Sequence, residues 1–361
     1  LHDAFTPGGL KFALQRSDAL MPAEGFAFDP LAIERAMQFR LQHDAARLAI
    51  RTAFAQSDAR LWVDHRLGVG VDVSFIDVAR VYNRLEFFLA AEQLAGGRQD
   101  DAIETLDAML RVVDRLAGAR HLASRLAAMQ SRREALALLQ AIAGGAATSR
   151  LQAERLRNMI AGELAAWPRE RDAWIADRAE ALHTYEMIRD GQLASLLTEE
   201  EMEKHNADGD ALAAAAMRGI DDDEAFYLGS IRRLIDAADQ PYYQRRETYE
   251  QLRQELKSLL PTPQYPLLAD QMFLANIPDA QRLAAADRAW TEAWSVALCI
   301  ALDESRAPPF DVNPLTGKPY RIAVEANAVV VAGIDPLDPH AMVRVHRSAV
   351  VSVRTGARAS R

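Results

Sequence analysis

Apolar positions recur along most of this chain at a helical period, and two stretches of the pattern look alike. AEQLAGGRQDDAIETL at 91–106 and SRLAAMQSRREALALL at 124–139 align at an offset of 33, placing Ala102 on Ala135 and Leu106 on Leu139. Each copy reads as the end of one helix, a short polar turn and the start of the next. A hairpin of that size cannot bury its apolar face alone, so neighbours must stack. The pattern predicts a mainly α body of roughly a dozen stacked helices, a bundle or a short solenoid.

Residues 1–28 lack the period and carry Pro7, Gly8, Gly9, Pro22 and Gly25, so they read as an extended N-terminal arm laid over the body, or as a mobile tail. Asp29–Pro30 then opens a helix with an acidic N-cap and proline in the first turn. That helix is expected to reach about Gln56. The segment 68–74, GVGVDVS, reads as a brief strand or a loop. Further helices are expected at 75–95, stopped by Gly96–Gly97, and at 100–117, 121–129, 132–143, 149–166 and 168–189. Thr198 with Glu201 forms a capping box opening a short acidic helix toward His205, and 221–238, 241–260 and 278–303 complete the body. After Ala307 β-branched residues alternate. YRIAVE (320–325) and AVVVAG (328–333) flank Ala326–Asn327 as a hairpin, and MVRVHR (342–347) and AVVSVR (349–354) follow suit. A sheet so small is marginal alone. The expected organisation is therefore an arm at 1–28, a helical body at 29–307 and a small antiparallel β module at 308–361 docked on it.

Composition narrows the partners. The chain of 361 residues has a net charge of −9, whereas nucleic-acid binders concentrate basic residues on one face; nucleic acid is not an expected partner. The basic doublets Arg132–Arg133, Arg232–Arg233 and Arg245–Arg246 lie among acids on predicted helices, where i,i+4 pairing accounts for them. The one cysteine, Cys299, sits in the apolar run AWSVALCIAL and reads as a buried, inert thiol. No apolar run reaches the length of a membrane span. The sequence starts at Leu1, so its start reads as trimmed, with no signal peptide visible to say how; a periplasmic or otherwise extracytoplasmic location is expected, with a cytoplasmic one as the alternative.

Candidate chemistry is sparse. Glu180 and His183 form Glu-x-x-His, the helix-face pair of di-iron carboxylate bundles, but such sites need the motif twice. A surface ion pair is the plainer reading, and no metal or other cofactor is expected. Glu201 and His205 have a different spacing. Asn206, Asp208 and Asp210 alternate like calcium-loop ligands, but Ala211 and Met217 stand where an EF-hand needs glycine and glutamate. Asp221 to Glu224 suit a helix N-terminus. There is no Gly-x-Ser-x-Gly, phosphate-binding loop or HExxH, and His340 and His346 share a strand face only in an unbroken strand. Trp167 and Trp174 read either as packing between hairpins or as a half-exposed recognition pair. Tyr242–Tyr243 has the same ambiguity, and Trp290 with Trp294 reads as core.

The hairpins at 91–139 resemble tetratricopeptide-type helical repeats in spacing and small-residue positions, without that family's aromatic and proline signature. Asp311-Val-Asn-Pro-Leu-Thr-Gly-Lys-Pro-Tyr320 and the hairpin after it, to 333, resemble the C-terminal turn-and-strand module of exported bacterial proteins, somewhat as in pseudopilin tails, with Asn313–Pro314 in place of Asp-Pro. The resemblance implies an extracytoplasmic protein and carries over no activity. The expectation is an exported, non-enzymatic binding or scaffold protein with a protein or peptide partner in the cell envelope. The alternatives are an enzyme with a site in a groove near His183, Glu180 and Glu186, or a metal-binding helical protein.

Overall fold

The computed structural model describes residues 7–23, 25–56, 59–196, 214, 216–303, 305, 307–338 and 341–347. The expected sequence features at 198–210, His340 and the strand at 349–354 lie outside the described residues. Among the described residues twelve α-helices and a three-stranded antiparallel sheet form, so the fold is mainly α with a small C-terminal β-sheet. The helices are α1 Pro7–Leu20, α2 Pro30–Gln42, α3 Asp44–Ala55, α4 Phe75–Ala95, α5 Gln99–Gly118, α6 Leu122–Ala143, α7 Arg150–Ala165, α8 Glu170–Arg189, α9 Leu193–Leu196, α10 Ile220–Ala237, α11 Tyr242–Leu259 and α12 Ile277–Leu302. The strands are β1 Arg321–Val324, β2 Ala328–Ala332 and β3 Met342–His346.

Local signals set many of these boundaries. The Asp29 side chain accepts from the Ala32 N–H, and Pro30 fills the first turn of α2, where its missing N–H costs nothing. Ser149 and Gln152 close a capping box on α7. Four expectations are corrected. The extended arm contains helix α1, whose glycines and proline crowd its first turn while Leu10, Ala13 and Leu14 pack into the core. Tertiary burial outweighs propensity there. The helix from Asp29 breaks at His43, which separates α2 from α3. The segment 68–74 is neither strand nor plain loop at its start, because His65–Gly70 is a 3₁₀ turn. The second hairpin copy has no turn, since α6 runs unbroken through 130–131. Neither Gln130 nor Ser131 stops a helix as Gly96–Gly97 does, so α4, α5 and α6 pack consecutively as a three-helix unit.

Buried charge ties the N-terminal helices down. Glu86 of α4 is fully buried and receives Arg47 (3.0 Å) and Arg51 (3.3 Å) from α3. Arg84, also of α4, reaches Ser17 of α1 (3.1 Å) and Glu134 of α6 (3.6 Å). Ions in such places persist because each is paired.

The last twelve positions of α12, Thr291 to Leu302, are all buried, and Glu292 is the one charged residue among them, as expected of a helix segment that is apolar on nearly every side. The sheet lies against this helix. Val329, Val331, Val343 and Val345 are at most 2 % exposed and face it, each burial contributing about 1.5–3 kcal/mol. The turn before β1 is organised by Asn313, which is fully buried. Its amide donates to the carbonyls of Gly333 (3.1 Å) and Ile334 (2.8 Å), while its side-chain oxygen accepts from the Leu315 N–H (2.8 Å). Tyr320 anchors the end of the turn by donating to the Ala289 carbonyl (3.2 Å) on α12. Gly317 adopts φ +70°, and a Cβ there would sit 2.7 Å from the Tyr243 ring of α11. Both conditions exclude a side chain. Gly317→Ala is therefore expected to lower stability by about 2 kcal/mol in urea unfolding, and Tyr243→Ala in the same chain to recover part of the loss by clearing space. Loss of less than about 0.5 kcal/mol, the level of an ordinary surface substitution, would contradict this packing.

Candidate binding cleft

Where the β module meets the helical body, the surfaces do not close. A cleft of about 920 Å³ opens between α11, the start of α12, the 315–319 turn and the 333–338 loop. A second lobe of about 650 Å³ continues past Tyr242 and Tyr243 to Trp167, Pro168 and Phe310. Tyr243 is 38 % exposed and belongs to both lobes. Tyr242 is buried and stacks on Tyr249 with centroids 5.9 Å apart. The tyrosine pair thus divides, one ring serving the core and the other the cleft.

Charge in the first lobe is unevenly matched. Arg253 pairs with Asp279 (3.0 Å) and Glu250 (3.8 Å), Arg282 pairs with Asp335 (3.2 Å), and Asp338 is a further acid of the lining. Arg246, Lys318 and Arg321 also line this lobe and form no ion pair among the described residues. The i,i+4 pairing expected of the basic doublets holds for Arg232 with Asp236 (4.0 Å). Arg132, Arg233 and Arg245 instead reach acids on other helices. Arg245 is buried against Glu170 of α8, which leaves its neighbour Arg246 to face the cleft. Arg246, Lys318 and Arg321 carry no local sequence signal, because no acid pairs with them among the described residues.

Trp167 sits at the inner end of the second lobe, half-buried, with the guanidinium carbons of Arg132 and Arg288 4.3 and 5.3 Å from its ring centroid. Contacts of this kind contribute about 0.5–2 kcal/mol. Arg132 is held by Glu163 of α7 (3.3 Å) and Asp287 of α12. Arg288 donates to Glu292 (2.9 Å), which accepts from Tyr320 (3.3 Å). A chain of charged and aromatic groups therefore runs from α7 through α12 into the β module. Burial raises the carboxyls of Glu163 and Asp287, the latter to about 6, although Arg132 opposes both shifts. Trp174 is 1 % exposed and lies in the core, so the two tryptophans do not form a half-exposed pair.

Glu180 and His183 are not brought together. His183 is on an open face of α8 and pairs with Glu186 (3.1 Å), both side chains well exposed. Glu180 turns inward to His65 and His121, one oxygen lying 3.4 Å from a ring nitrogen of each. Asp177, one turn earlier, accepts from Tyr227 (3.3 Å), and burial beside Glu180 raises its carboxyl to about 7. This cluster fastens the 3₁₀ turn and the start of α6 to α8. Its two histidines come from distant positions, which is why spacing did not reveal it. Among the described residues no group of three His, Cys, Asp or Glu side chains is arranged to hold a metal ion, and no helix is long and apolar enough to cross a membrane. Asp223 lies in the first turn of α10 with Asp221 and Asp222, as expected, and also binds across the fold: it accepts from Tyr185 (2.6 Å) and from the N–H groups of Leu268 and Ala269 (both 2.8 Å).

Comparison with protein-family models, curated proteins and solved structures returned no match to this chain.

Proposed function

We propose that this is an exported, non-enzymatic binding protein that holds a segment of a protein partner of the cell envelope in the cleft between its helical body and its β module. The observation that carries this reading is the set of three cations without an ion pair among the described residues, Arg246, Lys318 and Arg321, around the exposed Tyr243 in a cleft of about 920 Å³. Aromatic and arginine side chains at the centre of a concave surface are the usual energetic anchors of protein recognition. Unpaired cations add attraction for an acidic partner and speed its encounter. The extracytoplasmic location rests on the likeness of residues 311–333 to the turn-and-strand module of exported proteins.

A photo-reactive residue in place of Tyr243 is expected to give one discrete adduct in envelope fractions. Arg246→Glu with Lys318→Glu should reduce that adduct at least tenfold while thermal unfolding is unchanged. No adduct, or one indifferent to both charge reversals, would remove the reading.

A further inference from the structure

The β module has two edges, and they are treated differently. In the antiparallel ladder Glu325 donates to the Ala328 carbonyl (2.8 Å) across the hairpin. Bonded and non-bonded pairs alternate from there, so Ala323 bonds to Val330 while Ile322 and Val324 turn their N–H and C=O groups away from β2. On the far side, β3 presents Arg344 outward, and α6 closes that edge with one side chain. Gln140 accepts from the Arg344 N–H (3.2 Å) and donates to its carbonyl (2.9 Å), as a paired strand would. Nothing among the described residues does this for β1.

The side chains agree with the backbone. Ile322 and Val324 stand opposite Val331 and Val329, on the sheet face that α12 covers. Yet they are 38 and 49 % exposed against 0 % for the two valines, because β1 overhangs the helix. Natural sheets commonly blunt or cover such an edge. Here the approach is flanked by cations that form no ion pair among the described residues: Arg321 is the first residue of β1 and, with Lys318, also lines the cleft.

Resting on the binding reading above, we infer that β1 is a strand-addition site, and that its occupant is an extended acidic segment of the partner that pairs with Ile322 and Val324 and places its carboxylates on Lys318 and Arg321. Main-chain bonds would supply affinity without sequence demand, and the cations would select the acidic segment. The two arms of the site then share Arg321, so one peptide spans edge and cleft.

Amide hydrogen exchange on the full chain tests this, with a synthetic peptide of four alternating Val-Glu pairs as the probe and its Val-Lys counterpart as control. In the free protein the Ile322 and Val324 amides should exchange freely while Ala323 is protected. The Val-Glu peptide should protect both at least tenfold, and the Val-Lys peptide neither. Ile322→Pro removes an outward N–H without breaking the bonds to β2, a substitution edge strands accept, and should weaken peptide binding at least tenfold. Arg321→Glu should do the same by charge. Protection of both amides in the free monomer would mean that the chain covers its own edge, and protection rising with protein concentration that a second copy does; either overturns the inference, as does equal binding of the two peptides. Binding abolished by Lys318→Glu but indifferent to Ile322→Pro would leave the cleft reading standing and sink the strand-addition site alone.

Discussion

Replacing Arg132 with methionine is expected to lower the stability of this protein by about 3–5 kcal/mol, the cost of leaving buried charges without their partner. Arg132 is 3 % exposed and joins Glu163 on α7 to Asp287 on α12, while its guanidinium lies 4.3 Å from the Trp167 centroid. Methionine keeps much of the volume and removes the charge, so the loss reports on the two carboxylates rather than on a cavity. Its pH dependence separates these causes. Burial holds Asp287 at about 6 with Arg132 present, above the ordinary carboxylate value near 3.8. A group raised on folding contributes stability below its unfolded pKa, and that contribution is lost as pH rises through the folded value. Without Arg132 the folded values of Asp287 and Glu163 rise further. The deficit relative to the parent should therefore be small near pH 4, begin to grow through pH 6 where Asp287 ionises in the parent, and still be rising at pH 8, where burial places Glu163. Urea unfolding of both proteins at pH 5 and pH 8 measures this directly. An equal deficit at the two values would show that packing, and not charge, is what Arg132 supplies.

The same residue shows where sequence reasoning stops. Helical periodicity placed most of the helices, because amphipathic faces and breakers such as Asp29–Pro30 and Gly96–Gly97 act within a turn or two. The β hairpin at 320–333 was legible for the same reason, as alternation of branched residues is local. What misled was longer in range. The match between 91–106 and 124–139 is real as a pattern, but only the first copy has glycines to turn on, and α6 passes straight through the second. Helix α1 draws its stability from burial of Leu10, Ala13 and Leu14 against the body, which nothing in residues 1–28 announces.

The cleft was harder still. Tyr243, Arg246, Lys318 and Arg321 come from two parts of the chain more than seventy positions apart, and their significance lies in what does not pair with them. Glu180 was legible as a chemically interesting position, yet its partners are His65 and His121 rather than His183. Side chains at i and i+3 share a helix face, but a partly buried carboxylate is drawn to whichever donors the neighbouring helices bring. The Asp223 carboxylate makes the same point, serving two backbone N–H groups 45 and 46 residues away.

Trp174 separates a packing role from a recognition role by experiment. It is 1 % exposed near the start of α8, beside a small, partly open hollow of about 40 Å³ that it shares with Arg125 and Gln281, and its indole N–H meets no acceptor among the described residues. Removing so large a buried ring should cost about 3–5 kcal/mol, so Trp174→Ala is expected to unfold well before the parent in urea. Trp174→Phe keeps most of the apolar volume and deletes an N–H that contributes no bond, so its loss should stay near 1–2 kcal/mol. Trp167→Ala differs in kind, since its ring is half-buried at the lobe wall and contacts Arg132 and Arg288. About 1 kcal/mol of stability should go with those contacts, and the shape of the second lobe with the ring. If Trp174→Ala instead left the unfolding midpoint in place while abolishing adduct formation at position 243, the indole would be a recognition group and the core assignment of α8 would have to be redrawn. The burial of Ala173, Ala181 and Tyr185 on the same helix argues for the opposite outcome, because α8 must present one apolar face to the body, and Trp174 lies on it.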